Sequence, residues 1–123
     1  MQRVSVDRVN TVLYCEAWAD TVAFYRDLVG FPVEHDSDWF VEFRLAPQAF
    51  LSVADAQRTT MNAVGGHGIT LTLHTEDVTA TRSLLENRGI EVTPITRRWG
   101  ADVVYCHDPE GHRIEFWSEG AGR

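Results

Sequence analysis

The stretch Asp108-Pro109-Glu110-Gly111-His112-Arg113-Ile114-Glu115-Phe116 decides how the chain folds. Aspartate first, proline second and glycine fourth are the residues a type I turn prefers, so the backbone reverses here. Past the turn, apolar Ile114 and Phe116 alternate with Arg113, Glu115 and Trp117. That period predicts a strand from His112 to Ser118, with Glu115 on the face opposite its apolar side. Asp102 to His107, before the turn, predicts the other arm of a hairpin.

Upstream, Glu91 to Thr96 predicts a third strand, and Gly68 to Thr75 a fourth with clean alternation, Ile69, Leu71 and Leu73 facing opposite to Thr70, Thr72 and His74. Between these two, Val78, Thr81, Leu84, Leu85 and Arg88 recur at helical spacing behind an Asp77 or Thr75 cap, with Gly89 at the end. This half reads βαβββ. The first half repeats the order. Arg8 to Cys15 predicts a strand, and Trp18, Val22, Tyr25 and Val29 predict one amphipathic helix with Glu16 and Asp20 near its start and Gly30 at its end. Phe31 to His35, Trp39 to Leu45 and Ala49 to Val53 predict three further strands. A polar stretch from Asp55 to Gly66 joins the halves, and Tyr25 to Val33 matches Leu85 to Val92 in place.

A chain of 123 residues falls within the range of one domain and can bury a core without disulfides or metal. Apolar content of 44% and charged content of 24% argue against disorder and against a membrane protein. A net charge of -7 with no basic stripe disfavours nucleic acid. Cys15 and Cys106 lie in apolar runs without metal-ligand spacing and read as reduced core thiols, and no apolar signal core opens the chain. A cytoplasmic location is the expectation. With no lysine, Schiff-base chemistry is excluded, and no Gly-rich phosphate loop or activated Ser or Cys nucleophile is present.

Three motifs carry a resemblance: Ala23 to Phe31 (Ala-Phe-Tyr-Arg-Asp-Leu-Val-Gly-Phe), Glu76-Asp77-Val78 opening the second helix, and the Asp108 to Phe116 stretch. Together they span nearly the whole chain, and in this order they resemble the vicinal oxygen chelate superfamily of glyoxalases, bleomycin-resistance proteins and extradiol dioxygenases. The resemblance implies an α+β fold, one glyoxalase-like domain over 1-123 with modules at about 4-54 and 67-118, whose curved mixed sheets enclose a cavity. It also implies a homodimer and, in many relatives, a divalent metal (Zn, Ni, Mn or Fe). By position, the ligand places fall on Asn10, Thr70 and Glu115. Only Glu115 matches, since neutral amide and hydroxyl oxygens are weak donors for such metals. His74 shares the face of Thr70 but lies roughly 13 Å further along the strand at the usual rise per residue. The expectation is therefore no cofactor, with Glu115 as a metal ligand only if a metal is bound.

Glu115 reads either as a ligand contact or general base, or as half of a structural ion pair with Arg113 or Arg44. His74 reads as an acid or base near neutral pH, or as a wet residue at a strand end. His35, His67, His107 and His112 read as exposed loop histidines. Trp39, Trp99 and Trp117 lie in or beside strands that would line a cavity or a dimer seam, while Trp18 fits the buried face of helix one. Tyr14 shares the Asn10 face, and Thr72 and Arg113 share theirs with Thr70 and Glu115. The function expected from these residues is binding of a small aromatic or cationic organic molecule, lined by Asn10, Tyr14, Trp39, Thr70, Thr72, Trp99, Arg113 and Trp117. The alternative is a metal-dependent lyase, isomerase or dioxygenase using Glu115 with His74 or a further ligand, and a third reading is a fold retained for protein association.

Overall fold

The computed structural model describes residues 1–120. The chain divides into two compact units, Met1–Val64 and a second beginning at Gly65, each carrying one four-stranded mixed sheet that does not close on itself.

In the first unit, β1 (Val9–Cys15) leads to α1 (Trp18–Ala23), then to β2 (Val33–Asp36), β3 (Phe40–Ala46) and β4 (Ala49–Asp55). The spatial order is β1-β4-β3-β2, with β1 parallel to β4 and the other pairs antiparallel. The crossover from β1 is needed because parallel neighbours cannot be joined by a tight turn. The single helix expected over this stretch is not regular. After Ala23 the backbone opens into a π-helix over Phe24–Val29, and both Gly30 and Phe31 donate to the Tyr25 carbonyl. The wider turn accommodates a ring cluster in which Tyr25 stands 5.1 Å from Phe24, 6.0 Å from Phe31 and 6.0 Å from Phe43. Gly30 caps it at φ 86, as its place in the sequence predicts. Trp18 packs half-buried and donates its indole N–H to the Val53 carbonyl at 2.9 Å.

The second unit repeats the order with β5 (Thr70–His74), α2 (Val78–Asn87), β6 (Thr96–Arg98), β7 (Ala101–His107) and β8 (Arg113–Glu119), arranged β5-β8-β7-β6. The cap of α2 is Asp77, whose carboxylate accepts from the Ala80 N–H at 3.2 Å. Val78 and Leu85 of α2, with Val104, Ile114 and Phe116 of the sheet, are buried. The strand expected over Glu91 to Thr96 is displaced to Thr96–Arg98. Pro94 has no N–H for a ladder, and the carbonyls of Val92 and Thr93 accept from the Arg82 guanidinium of α2 instead.

His112 also departs from expectation: it is buried. Asp108 Oδ1 accepts the backbone N–H groups of Glu110, Gly111 and His112, and Asp108 Oδ2 lies 2.8 Å from His112 Nδ1. Because a carboxylate only accepts, the shared proton sits on Nδ1. The turn read from the sequence is closed by Gly111 N–H to the Asp108 carbonyl at 3.0 Å.

Both cysteines are buried thiols outside any disulfide. Burial, and secondarily the charge of Asp108, pushes the Cys106 thiol up to about 11. At pH 8 an aromatic disulfide reagent is therefore expected to label no thiol in the folded protein and both in denaturant. Fast labelling of the native chain would contradict the burial. Among the described residues, no helix is long and apolar enough to cross a membrane.

Candidate functional site

Strand parity in the second unit separates two faces. Leu71, Val104, Cys106, Ile114 and Phe116 are buried on the side of α2. The opposite face is set by register: Thr72 stands beside Glu115, Tyr105 faces Glu115, Val103 faces Trp117, and Ala101 pairs with Arg98. Thr70 and His74 of β5 and Arg113 of β8 share this face.

A pocket of about 470 Å³ opens on that face, lined by Thr72, Trp99, Glu115 and Trp117, all expected from the sequence, and by Arg98, Ala101, Val103 and Tyr105, which were not. The signal for Tyr105 and Val103 was available, because both share the parity that places Glu115 outward across the hairpin. Arg98 and Ala101 depended on where β6 begins. A second hollow, of about 590 Å³, is lined by Glu76, Asp77, Asp102 and Glu119 with Thr79 and Ser118. It has carboxylates but no apolar wall. Apolar walls with a few convergent polar groups are what small-molecule sites present, so the first pocket is the candidate.

Within it, the half-buried Glu115 accepts a hydrogen bond from the Thr72 hydroxyl at 3.3 Å. Of the two readings of Glu115, the ion pair with its strand neighbour Arg113 is not present among the described residues. The Arg113 guanidinium carbon sits over the Tyr105 ring, 3.9 Å from its centroid, and Arg44 pairs with Glu34 at 3.0 Å in the first unit. His74 stands outside the pocket lining. Its ring meets the Trp117 ring edge-on at 4.6 Å and its Nε2 lies 3.0 Å from Glu119 Oε1. The hydrogen bond from His74 holds the exposed Glu119 carboxyl below its ordinary value.

Asn10, Tyr14 and Trp39 belong to the first unit and do not line this pocket. On the β1–β4–β3 face there, a chain of hydrogen bonds engages Asn10. Its amide oxygen accepts from Ser52 at 2.8 Å, its amide nitrogen donates to Glu42 at 3.1 Å, and Arg8 donates to the other Glu42 oxygen at 3.1 Å. Arg8 also covers the Phe50 ring at 3.6 Å. Tyr14 is half-buried on the same face, and Trp39 packs against Phe40 at 5.3 Å.

The family model described as Glyoxalase/Bleomycin resistance protein/Dioxygenase superfamily matches residues 6–116. The chain belongs to this superfamily. Solved structures of similar fold include a glyoxalase/bleomycin resistance protein/dioxygenase from Nocardioides, at 20% identity and TM-score 0.81, over 100% of this chain and 89% of that one. An antibiotic binding protein from a Streptomyces species matches at 21% identity and TM-score 0.78, covering 98% of this chain and 100% of that one. A lactoylglutathione lyase from Agrobacterium tumefaciens matches at 21% and 0.75, covering 94% and 96%. At these identities the likeness is one of fold. No curated protein matches.

Many members of this superfamily hold a divalent metal, and the donor chemistry here does not fit one at the three corresponding positions. The Asn10 side chain is committed at both ends to Ser52 and Glu42, Thr70 offers a neutral hydroxyl, and only Glu115 is a carboxylate. Among the described residues, no group of three His, Cys, Asp or Glu stands together as a ligand set.

Proposed function

We propose that this superfamily member binds a small, flat, partly aromatic organic molecule bearing a positive charge, in the pocket of its second unit and without requiring a metal. The observation that carries this reading is the Glu115 carboxylate set among the Tyr105 and Trp117 walls with a single neutral hydroxyl, that of Thr72, bonded to it. A half-buried carboxylate with spare acceptor capacity favours a cationic or N–H-donating group. Aromatic faces beside it favour a planar cation. The Tyr105 ring already shows the compatibility, since it carries the planar Arg113 guanidinium. Arg98 and Arg113 oppose a cation, but both are exposed, and water and salt screen them more than the half-buried Glu115. That one protein of the same fold binds an antibiotic supports a binding role. Association of two copies belongs to the same proposal, and sedimentation measures it directly.

The test is a tryptophan-fluorescence titration of the full chain with N-methylquinolinium, a planar cation, and naphthalene-2-sulfonate, a planar anion. The cation is expected to bind more tightly. Glu115→Gln should weaken it about tenfold, the equivalent of roughly 1.4 kcal/mol, with the melting temperature unchanged. Preference for the anion, or an unchanged cation affinity in Glu115→Gln, overturns the proposal. Stoichiometric metal together with turnover that chelation abolishes would overturn its metal-free part.

A further inference from the structure

Arg98 and Glu115 carry opposite charges and line the same pocket. By register, Glu119 stands beyond Glu115 on β8 and faces Ala101 of β7, which in turn faces Arg98 of β6. The backbone positions of Arg98 and Glu115 are therefore roughly 13 Å apart along the strands and about 10 Å apart across them at the usual spacings. The two charges face one hollow of about 470 Å³, with room for the body of a small molecule between them.

Arg98 is exposed, and among the described residues its side chain has no ion pair or hydrogen bond. Acidic residues outnumber basic ones here, 18 to 11, so a guanidinium left over is not explained by scarcity of carboxylates. Arginines in comparable places are paired. Arg97, its strand neighbour, meets Asp102 at 2.8 Å, and Arg8 and Arg44 of the first unit meet Glu42 and Glu34 at 3.1 and 3.0 Å. The carboxylate nearest to Arg98 in the register, that of Glu119, is taken by His74 at 3.0 Å.

Resting on the function proposed above, we infer that the molecule this pocket takes is a zwitterion: its cationic end meets Glu115, and a carboxylate at the far end of its planar body is held by Arg98. Guanidinium and carboxylate match as a two-bond fork, which gives direction as well as attraction. The arginine that repels a lone cation attracts the far end of such a molecule and so fixes which way it lies. Arg113 does not serve as this anchor. It stands two residues from Glu115, roughly 7 Å along the strand, and its guanidinium covers the Tyr105 ring. A carboxylate there would lie against the cationic end of the molecule, not the far one.

The test compares two probes of nearly the same shape by calorimetry on the full chain: N-methylquinolinium-6-carboxylate, a zwitterion, and its 6-carboxamide, a cation. The zwitterion is expected to bind about tenfold more tightly, and the preference should shrink as salt screens the exposed guanidinium. Arg98→Gln should bring the zwitterion down to the carboxamide while leaving the carboxamide within about twofold of its parent affinity. Arg98→Lys should restore part of the preference as a point charge without the fork. Arg113→Gln should keep the preference. Equal affinities in the parent, a preference that survives Arg98→Gln, or one lost in Arg113→Gln instead would overturn the inference. If the carboxamide binds and is weakened by Glu115→Gln while the zwitterion binds no better, only the zwitterion and the role of Arg98 fall. If neither probe binds the parent, the proposed function falls and takes this inference with it.

Discussion

Replacing Asp108 by alanine is expected to destabilise the protein by roughly 2–4 kcal/mol, because buried donors that lose their acceptor cost about 1–3 kcal/mol each. One carboxylate closes the β7–β8 turn through three backbone N–H groups and holds the buried His112 ring with its other oxygen. The Asp108 side chain is fully buried and that of His112 nearly so, 0% and 6% exposed, so the buried His112 donors, its backbone N–H and Nδ1, lose their acceptor where water reaches least. Guanidinium unfolding followed by circular dichroism measures the loss. Asp108→Asn keeps one acceptor oxygen for the backbone and should lose less. A loss under about 1 kcal/mol in the alanine variant would mean that the turn holds without its carboxylate, contrary to the usual cost of orphaned buried donors.

Gly66→Ala is expected to cost about 2–4 kcal/mol, from a clash with unyielding backbone added to left-handed strain. A Cβ at Gly66 would press on the carbonyl carbon of Gly111 and the nitrogen of His112, and φ there is +76. The approach is reciprocal, since a Cβ on Gly111 would lie 2.6 Å from the Gly65 carbonyl oxygen. Gly68 supplies the control: its φ is +82, but a Cβ there meets nothing within 4 Å. Gly68→Ala should therefore show the strain alone, about 1–2 kcal/mol. Equal unfolding midpoints for the two variants would remove close packing as the cause.

These two positions also show how much of the structure is legible in the sequence. The turn around Asp108 could be read because its residue types act locally, and the outward parity of Glu115 because a strand has a period of exactly two residues. Alternation and repetition likewise carried the two βαβββ units, and the donor chemistry of Asn10 and Thr70 needed no structure at all. What escaped depends on competition between distant partners. Arg113 had a carboxylate, Glu115, two residues away on its own strand and lies over Tyr105 instead, a choice among rotamers that sequence spacing does not decide. His112 looked exposed because it flanks a turn, whereas the Gly65-Gly66 segment packs against that turn from far along the chain. The π-helical turn at Phe24–Val29 arises from fitting four aromatic rings, and helical spacing alone cannot announce it.

The hydrogen bonds of Arg8, Glu42, Asn10 and Ser52 have a consequence for how the chain tolerates change. By register, Ser52 holds in β4 the place that Glu115 holds in β8, each opposite the third strand of its own unit and beside the first. In one repeat that place begins a chain of hydrogen bonds from Ser52 through Asn10 to Glu42, which Arg8 also meets; in the other it holds a carboxylate that accepts from the Thr72 hydroxyl. Under the proposed function, side chains around Glu115 could be exchanged without breaking any of the Ser52, Asn10, Glu42 and Arg8 hydrogen bonds, which all lie in the first unit.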